Sequence, residues 1–124
     1  MSLPASQRGF TLIELIAILV ILGVLASIAV PKYYDITLES QNKAALQAVT
    51  EGKARLSMTY ARLFLENGAP PDATALIASV GATTNVGDYT LNFLSIVASS
   101  DIKINASGKG GILGTNSGVW LLPK

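Results

Sequence analysis

Residues 8–30 read RGFTLIELIAILVILGVLASIAV, and this stretch decides the fold of the 124-residue chain. At about 1.5 Å per residue, an α-helix over residues 10–30 is roughly 32 Å long, enough to cross a hydrocarbon core of about 30 Å. The stretch is apolar on every face, and the remaining sequence is too short to surround it. A membrane-spanning helix is therefore favoured over a buried core helix.

A carboxylate, Glu14, interrupts the apolar run. Without it the pattern would also suit a secretory signal peptide, with Arg8 as its charged region and Ser27-Ile28-Ala29 as a small-x-small cleavage site. Inserting an acid at mid-bilayer costs about 2.5 to 3.5 kcal/mol, and less near the interface, and an export signal has no use for that cost. Glu14 is therefore predicted to serve a function and to meet a cation.

The composition excludes several classes of function. The chain has no cysteine and no histidine, which removes Cys-based metal sites, Ser-His-Asp catalysis and the commonest general base near neutral pH. Its formal net charge is +1, so it lacks the basic surface of a general nucleic-acid binder. Asp88 and Asp101 are too isolated to be predicted as calcium ligands. We predict no catalytic residue, no cofactor and no metal site, and hence a protein that is not an enzyme.

Helical spacing of apolar residues continues beyond residue 30, so the predicted helix runs from Phe10 to Glu66. Pro31 removes a backbone donor and, together with Gly23, is expected to bend the helix without ending it. Asn67-Gly68 supplies a left-handed stop, and the prolines that follow prevent the helix from resuming. Half of this helix, roughly 85 Å long, must protrude from the domain that packs on the other half.

The rest of the sequence changes from a helical period to a strand period. Asp72 is expected to cap a short helix over Ala73 to Val80 that ends at Gly81. Beyond it, residues 108–111 are expected to form a hairpin loop. Apolar residues that alternate or cluster between turns predict a small antiparallel sheet, and these are Tyr89, Leu91, Phe93, Ile102, Ile104, Ile112-Leu113 and Val119 to Leu122. The predicted fold class is α+β, with the C-terminal half of the long helix packed on the sheet.

The segment Arg8 to Leu15, followed by the apolar run, resembles the prepilin processing motif of type IV pilins and type II secretion pseudopilins. The resemblance covers about the first quarter of the chain, and the short leader is similar to those of the type IVa group. It implies that a membrane prepilin peptidase cuts between Gly9 and Phe10 and methylates the new Phe10 amine. It also implies a leader at residues 1–9, a membrane span and filament core at 10–30, and an exported head at 31–124.

The resemblance further implies that the Glu14 carboxylate pairs with the Phe10 ammonium of a neighbouring subunit, which would set the axial register. The implied function is that of a structural subunit of a type IV pilus-like filament, a helical homopolymer assembled by inner-membrane machinery. The precursor would cross the inner membrane once, in contact with lipid, with Arg8 in the cytoplasm and the C-terminus outside. The assembled form would be an extracellular pilus.

Two alternatives remain open. A type II secretion pseudopilin shares the features of the first thirty residues and forms a periplasmic pseudopilus, but the calcium loop expected near the end of a major pseudopilin is missing here. A membrane-tethered periplasmic binding domain predicts no cleavage before Phe10 and no dependence on Glu14. The chain also lacks the cysteine pair that closes the C-terminal loop in many pilins, so packing of Trp120 is expected to hold this region.

Overall fold

The computed structural model describes Ser2 and residues 9–124. The predicted leader falls largely outside this part of the chain, as does Arg8, so both remain predictions. The chain divides into two compact units, of which the first ends at Ile36 and the second covers Thr37–Lys124. The predicted boundary between residues 30 and 31 concerns the membrane span and also remains a prediction.

The first element is α1, a helix of 56 residues over Leu12–Asn67, close to the predicted range. It continues through Gly23 and Pro31, so neither residue ends it, and the bends expected at these positions stay predictions. The predicted left-handed stop is confirmed, because Gly68 has a φ of 67° and its N–H donates to the Phe64 carbonyl at 2.9 Å.

A short helix, α2, covers Ala73–Val80, as the sequence predicts. The Asp72 side chain accepts a hydrogen bond from the Ala75 N–H at 2.8 Å, which satisfies one of the free donors at the helix start. Gly81 ends the helix with a φ of 93°, and its N–H donates to the Ile77 carbonyl at 2.8 Å. Both caps therefore act through the residues that the sequence singles out.

The sheet has four antiparallel strands in the order β1-β2-β3-β4, namely Thr83–Val86, Tyr89–Ser95, Ile102–Gly108 and Thr115–Trp120. The alternation predicted for β2 and β3 is confirmed, because Tyr89, Leu91 and Phe93 are buried along β2. Ile102 and Ile104 are buried along β3 in the same way. The predicted α+β fold, a long N-terminal helix packed on a small antiparallel sheet, is confirmed.

Three details of the sheet differ from the prediction. The polar segment Thr83–Val86 forms β1, which no apolar alternation announces. Ile112 and Leu113 lie in the loop between β3 and β4 instead of in a strand. The Ile112 N–H donates to the Lys109 carbonyl at 3.1 Å, and this turn brings Ile112 close to Gly108. The last strand ends at Trp120, before the end of the apolar run at 119–122. A hairpin loop is confirmed in this region, but it covers residues 109–114, because Gly108 is still paired as the last residue of β3.

The core of the second unit lies between the sheet and one face of α1. That face contributes Ala45, Ala48, Val49, Gly52 and Leu56, all of them buried. Two glycines, one on α1 and one before β4, allow the backbones of α1 and the sheet side of the core to come close together. A Cβ on Gly52 would lie 3.0 Å from the Leu91 side chain, and one on Gly114 would lie 2.5 Å from the Gln41 carbonyl group. A side chain at Gly114 is therefore incompatible with the observed distance between α1 and the start of β4.

Candidate functional site

At the N-terminus of α1, Thr11 and Glu14 are joined by three reciprocal hydrogen bonds. One oxygen of the Glu14 carboxylate accepts from the Thr11 N–H at 2.7 Å and from the Thr11 hydroxyl at 3.1 Å. The Thr11 Oγ1 in turn accepts from the Glu14 N–H at 3.3 Å. Because α1 begins at Leu12, this arrangement is a capping box, and it also sets a negative charge at the positive end of the helix dipole.

The predicted partner of Glu14, the Phe10 nitrogen, is a peptide nitrogen in this uncleaved chain and carries no positive charge. The structure therefore brings Glu14 to Thr11, and the predicted pairing with a Phe10 ammonium stays a prediction. Thr11 is a residue that the sequence interpretation missed. The signal was present, since Thr-x-x-Glu before an apolar run is the sequence pattern of a capping box.

Within the described part of the chain, the two residues that flank the predicted cleavage position are exposed. The Phe10 side chain is 79% exposed, and a Cβ placed on Gly9 would meet no heavy atom within 4 Å. Access to the peptide bond between these residues is thus unobstructed by the described part of the chain. A glycine, which has no side chain, also lets a protein surface approach the backbone closely.

The helix that follows presents an apolar surface without cover. Every residue from 9 to 36 is exposed. The first part of α1 is long and apolar enough to cross a membrane, judged by length and composition. Between residues 10 and 30, Glu14 is the only charged side chain. The Glu14 carboxylate therefore lies near one end of an otherwise uncharged apolar segment, residues 10–30, and four residues after Phe10.

In the second unit, polar contacts of two neighbouring α1 residues hold the β3–β4 loop and the start of β4. Gln41 accepts from the Leu113 N–H at 3.0 Å through its side chain and from the Tyr89 hydroxyl at 2.8 Å through its carbonyl. The Asn42 side chain accepts from the Thr115 N–H at 3.0 Å. The sequence interpretation missed both residues, because partners 48 to 73 positions apart leave no local pattern.

Trp120 anchors the end of β4 on α1, as the sequence predicts. Its side chain is 8% exposed, and its Nε1 donates to the Ser57 hydroxyl at 3.0 Å. Its ring packs against Tyr60 with the ring centroids 6.1 Å apart and the planes tilted by 56°. The ring geometry is typical of favourable aromatic pairs, and the hydrogen bond to Ser57 satisfies the indole N–H.

Comparison with known proteins agrees with this architecture. The family described as the prokaryotic N-terminal methylation motif matches residues 4–30. A fimbrial protein of Pseudomonas aeruginosa is 30% identical over an alignment that covers 93% of this chain and 84% of the relative. The fimbrial protein EcpC of Eikenella corrodens is 33% identical, covering 86% of this chain and 60% of the relative. The type IV major pilin protein PilE of Neisseria gonorrhoeae is 36% identical, over 67% of this chain and 47% of the relative.

No solved structure matches the chain at a significant level. The sequence relatives are nevertheless sufficient, since the similarity to the Pseudomonas aeruginosa protein extends through both the apolar helix and the head. The N-terminal motif, the long apolar helix and the small antiparallel sheet all agree with this relationship. The chain therefore belongs to the type IV pilin family, whose members are structural filament subunits and not enzymes.

Proposed function

We propose that this chain is synthesised as a precursor, cut between Gly9 and Phe10 by a prepilin peptidase, and methylated on the new Phe10 amine. The observation that carries the proposal is the position of Glu14, the single charged side chain between residues 10 and 30, where every residue is exposed. A carboxylate in that environment needs a cation, and cleavage before Phe10 creates one four residues away. The match of the methylation motif to residues 4–30 supports the same position.

Assembly follows from the same residues. After cleavage, residues 10–30 leave the lipid and pack against equivalent helices of other copies, which form a helical homopolymer with the heads outside. The Phe10 ammonium of one subunit pairs with Glu14 of a neighbour, because either charge left alone in an apolar bundle is costly. Such head-to-tail contacts do not close, so they generate an open filament.

The precursor is proposed to cross the inner membrane once, with Arg8 in the cytoplasm and residues 31–124 outside, and the finished filament is an extracellular pilus. Its partners are other copies of itself, the prepilin peptidase and the inner-membrane assembly machinery. The relatives described above are named fimbrial proteins or pilins, which favours a pilus over a secretion pseudopilus. A membrane-tethered binding domain would have no use for the Glu14 carboxylate.

Substitution of Gly9 tests the processing step directly. Gly9→Val sets a branched side chain beside the scissile bond, so we expect uncut protein in the membrane fraction and no filaments in electron micrographs. Gly23→Val is the matched control, because the same change there meets no heavy atom within 4 Å and lies far from the cut. Mass spectrometry of the control should give a methylated Phe10 terminus. A mature terminus elsewhere, or normal cleavage of Gly9→Val, would contradict the proposal.

A further inference from the structure

The segment directly after β4 is held by a hydrogen bond to a side chain of the loop before β3. In the β3–β4 register Ile102 lies opposite Trp120, so a continued ladder would set Ser100 opposite Leu122. The chain turns away instead, since Ser100 adopts a φ of 61°, which is unusual for a residue other than glycine. The Leu122 N–H donates to the Asp101 carboxylate at 2.9 Å in place of a backbone carbonyl.

The loop before β3 is built to present that carboxylate. The Ile96 carbonyl accepts from the Ser100 N–H at 2.8 Å and from the Ser99 N–H at 3.2 Å, and the Ile96 N–H donates to the Asp101 carbonyl at 2.8 Å. These bonds close residues 96–101 into a tight turn, which fixes the Asp101 backbone. Its side chain is therefore preorganised, and only the segment 121–124 has to be ordered when the contact forms.

We propose that Asp101 acts as a carboxylate clasp that holds residues 121–124 on the head and keeps Trp120 seated against α1. The chain has no cysteine, so no disulfide can perform this task. The clasp lies directly beyond Trp120, whose indole reaches Ser57. If residues 121–124 detach, we expect Trp120 to become exposed and the pairing of β3 with the end of β4 to fray.

The ionisation of Asp101 provides a way to open the clasp. The Leu122 N–H bond, followed by a hydrogen bond from the Ser99 side chain, lowers the pKa of Asp101 below its ordinary value, and the charge of Lys124 acts in the same direction while partial burial opposes it. A lowered folded-state pKa means that the stabilisation is complete above the unfolded value of about 3.9 and is lost as the pH falls through the folded value. The clasp is thus closed at neutral pH and opens only in strong acid.

Amide hydrogen exchange of the full-length protein in detergent micelles tests the clasp. In Asp101→Ala we expect the protection factor of the Leu122 amide to fall by about tenfold or more, while the Ile104 amide in the core keeps its protection. Asp101→Asn retains an acceptor oxygen and should keep part of the protection at neutral pH but lose its dependence on acid. Asp88→Ala is the matched control. This aspartate lies in the turn between β1 and β2, and its side chain makes no hydrogen bond within the described part of the chain.

Two further measurements on the unmodified protein test the clasp if Asp101→Ala unfolds the head. The Leu122 amide proton of the unmodified protein should titrate with the Asp101 carboxylate below pH 4, and this titration should be absent in Asp101→Asn. The emission of Trp120, the only tryptophan, should shift to longer wavelength over the same acid range. Unchanged Leu122 protection in Asp101→Ala, or a Leu122 amide that does not follow Asp101, would overturn the clasp.

Discussion

The two units of the chain use apolar residues in opposite ways. All residues from 9 to 36 are exposed, although nearly all of those from 10 to 30 are apolar. In the second unit the apolar side chains of Leu56, Leu91 and Ile104 are each 0% exposed. The head therefore has a buried core of its own, whereas residues 10–30 have none and leave a continuous apolar surface for lipid or for other copies of the chain.

This difference separates assembly from folding. A contiguous exposed apolar surface is unfavourable in water, so residues 10–30 have a stable environment only in a membrane or in a filament core. The head has its own core and should keep its fold in both settings. Substitutions in the first unit are thus expected to change processing or assembly, and substitutions in the second to change the free energy of unfolding.

The largest effect is expected from the charge of Glu14. Glu14→Gln keeps a side-chain oxygen that can still cap α1 through Thr11, but it removes the carboxylate charge that we propose pairs with the Phe10 ammonium of a neighbouring subunit. An ammonium left without its counter-charge in an apolar bundle is strongly unfavourable, so we expect the yield of sheared filaments to fall by about tenfold or more, with leader cleavage intact. The measurements are filament yield in the sheared fraction and mass spectrometry of the membrane fraction.

Thr11→Ala is the complementary control for Glu14. It removes the hydroxyl of the capping box and leaves the carboxylate, at a cost of about 0.5 to 2 kcal/mol in helix stability. If Glu14 acts across subunits, this variant should form filaments at nearly normal yield. Equal losses in Thr11→Ala and Glu14→Ala, together with normal yield in Glu14→Gln, would make Glu14 a helix cap and not an assembly residue.

A matched pair of leucine truncations compares the two units directly. Leu56→Ala removes a side chain that is 0% exposed in the head core, and we expect the free energy of unfolding to fall by about 2 to 5 kcal/mol. Leu22→Ala removes an exposed side chain in the apolar helix and should leave head unfolding unchanged. Urea titration in detergent, followed by Trp120 fluorescence, measures both variants. A comparable loss in Leu22→Ala would contradict the independence of the head.

The predictability of the two units also differs, for physical reasons. Local patterns determine the apolar helix, the cap at Asp72 and the buried alternation of β2, so the sequence alone predicts them. The strand Thr83–Val86 has no such pattern, since it forms by pairing with β2 and not by burying a face of its own. Ile112 shows the converse. Its apolar side chain suggested a strand, but the turn that contains it folds it back over Gly108.

The candidate site divides in the same way. Glu14 was predicted from the sequence because a lone carboxylate in an apolar run is locally anomalous. Gln41 and Asn42 were not predicted, since their roles depend on loop residues more than seventy positions away that only the folded head brings to them. Local anomalies can be recognised in one sequence, whereas long-range hydrogen bonds between ordinary polar residues require the structure.

The smallest effect comes from the same glycine substitution in each unit. Gly114→Ala places a Cβ 2.5 Å from the Gln41 carbonyl, so α1 and β4 must separate, and we expect a loss of about 1 to 3 kcal/mol in head stability. In Gly23→Ala the new Cβ meets no heavy atom within 4 Å, and the change favours the helix by about 1 kcal/mol. Because Gly23 lies in the first unit, the free energy of unfolding of the head should not change. Unfolding by urea distinguishes the two variants. If Gly114→Ala were as stable as the unmodified protein, the close contact between Gln41 and Gly114 would not contribute to the fold, and the head would tolerate a looser attachment of the β3–β4 loop to α1 than its packing indicates.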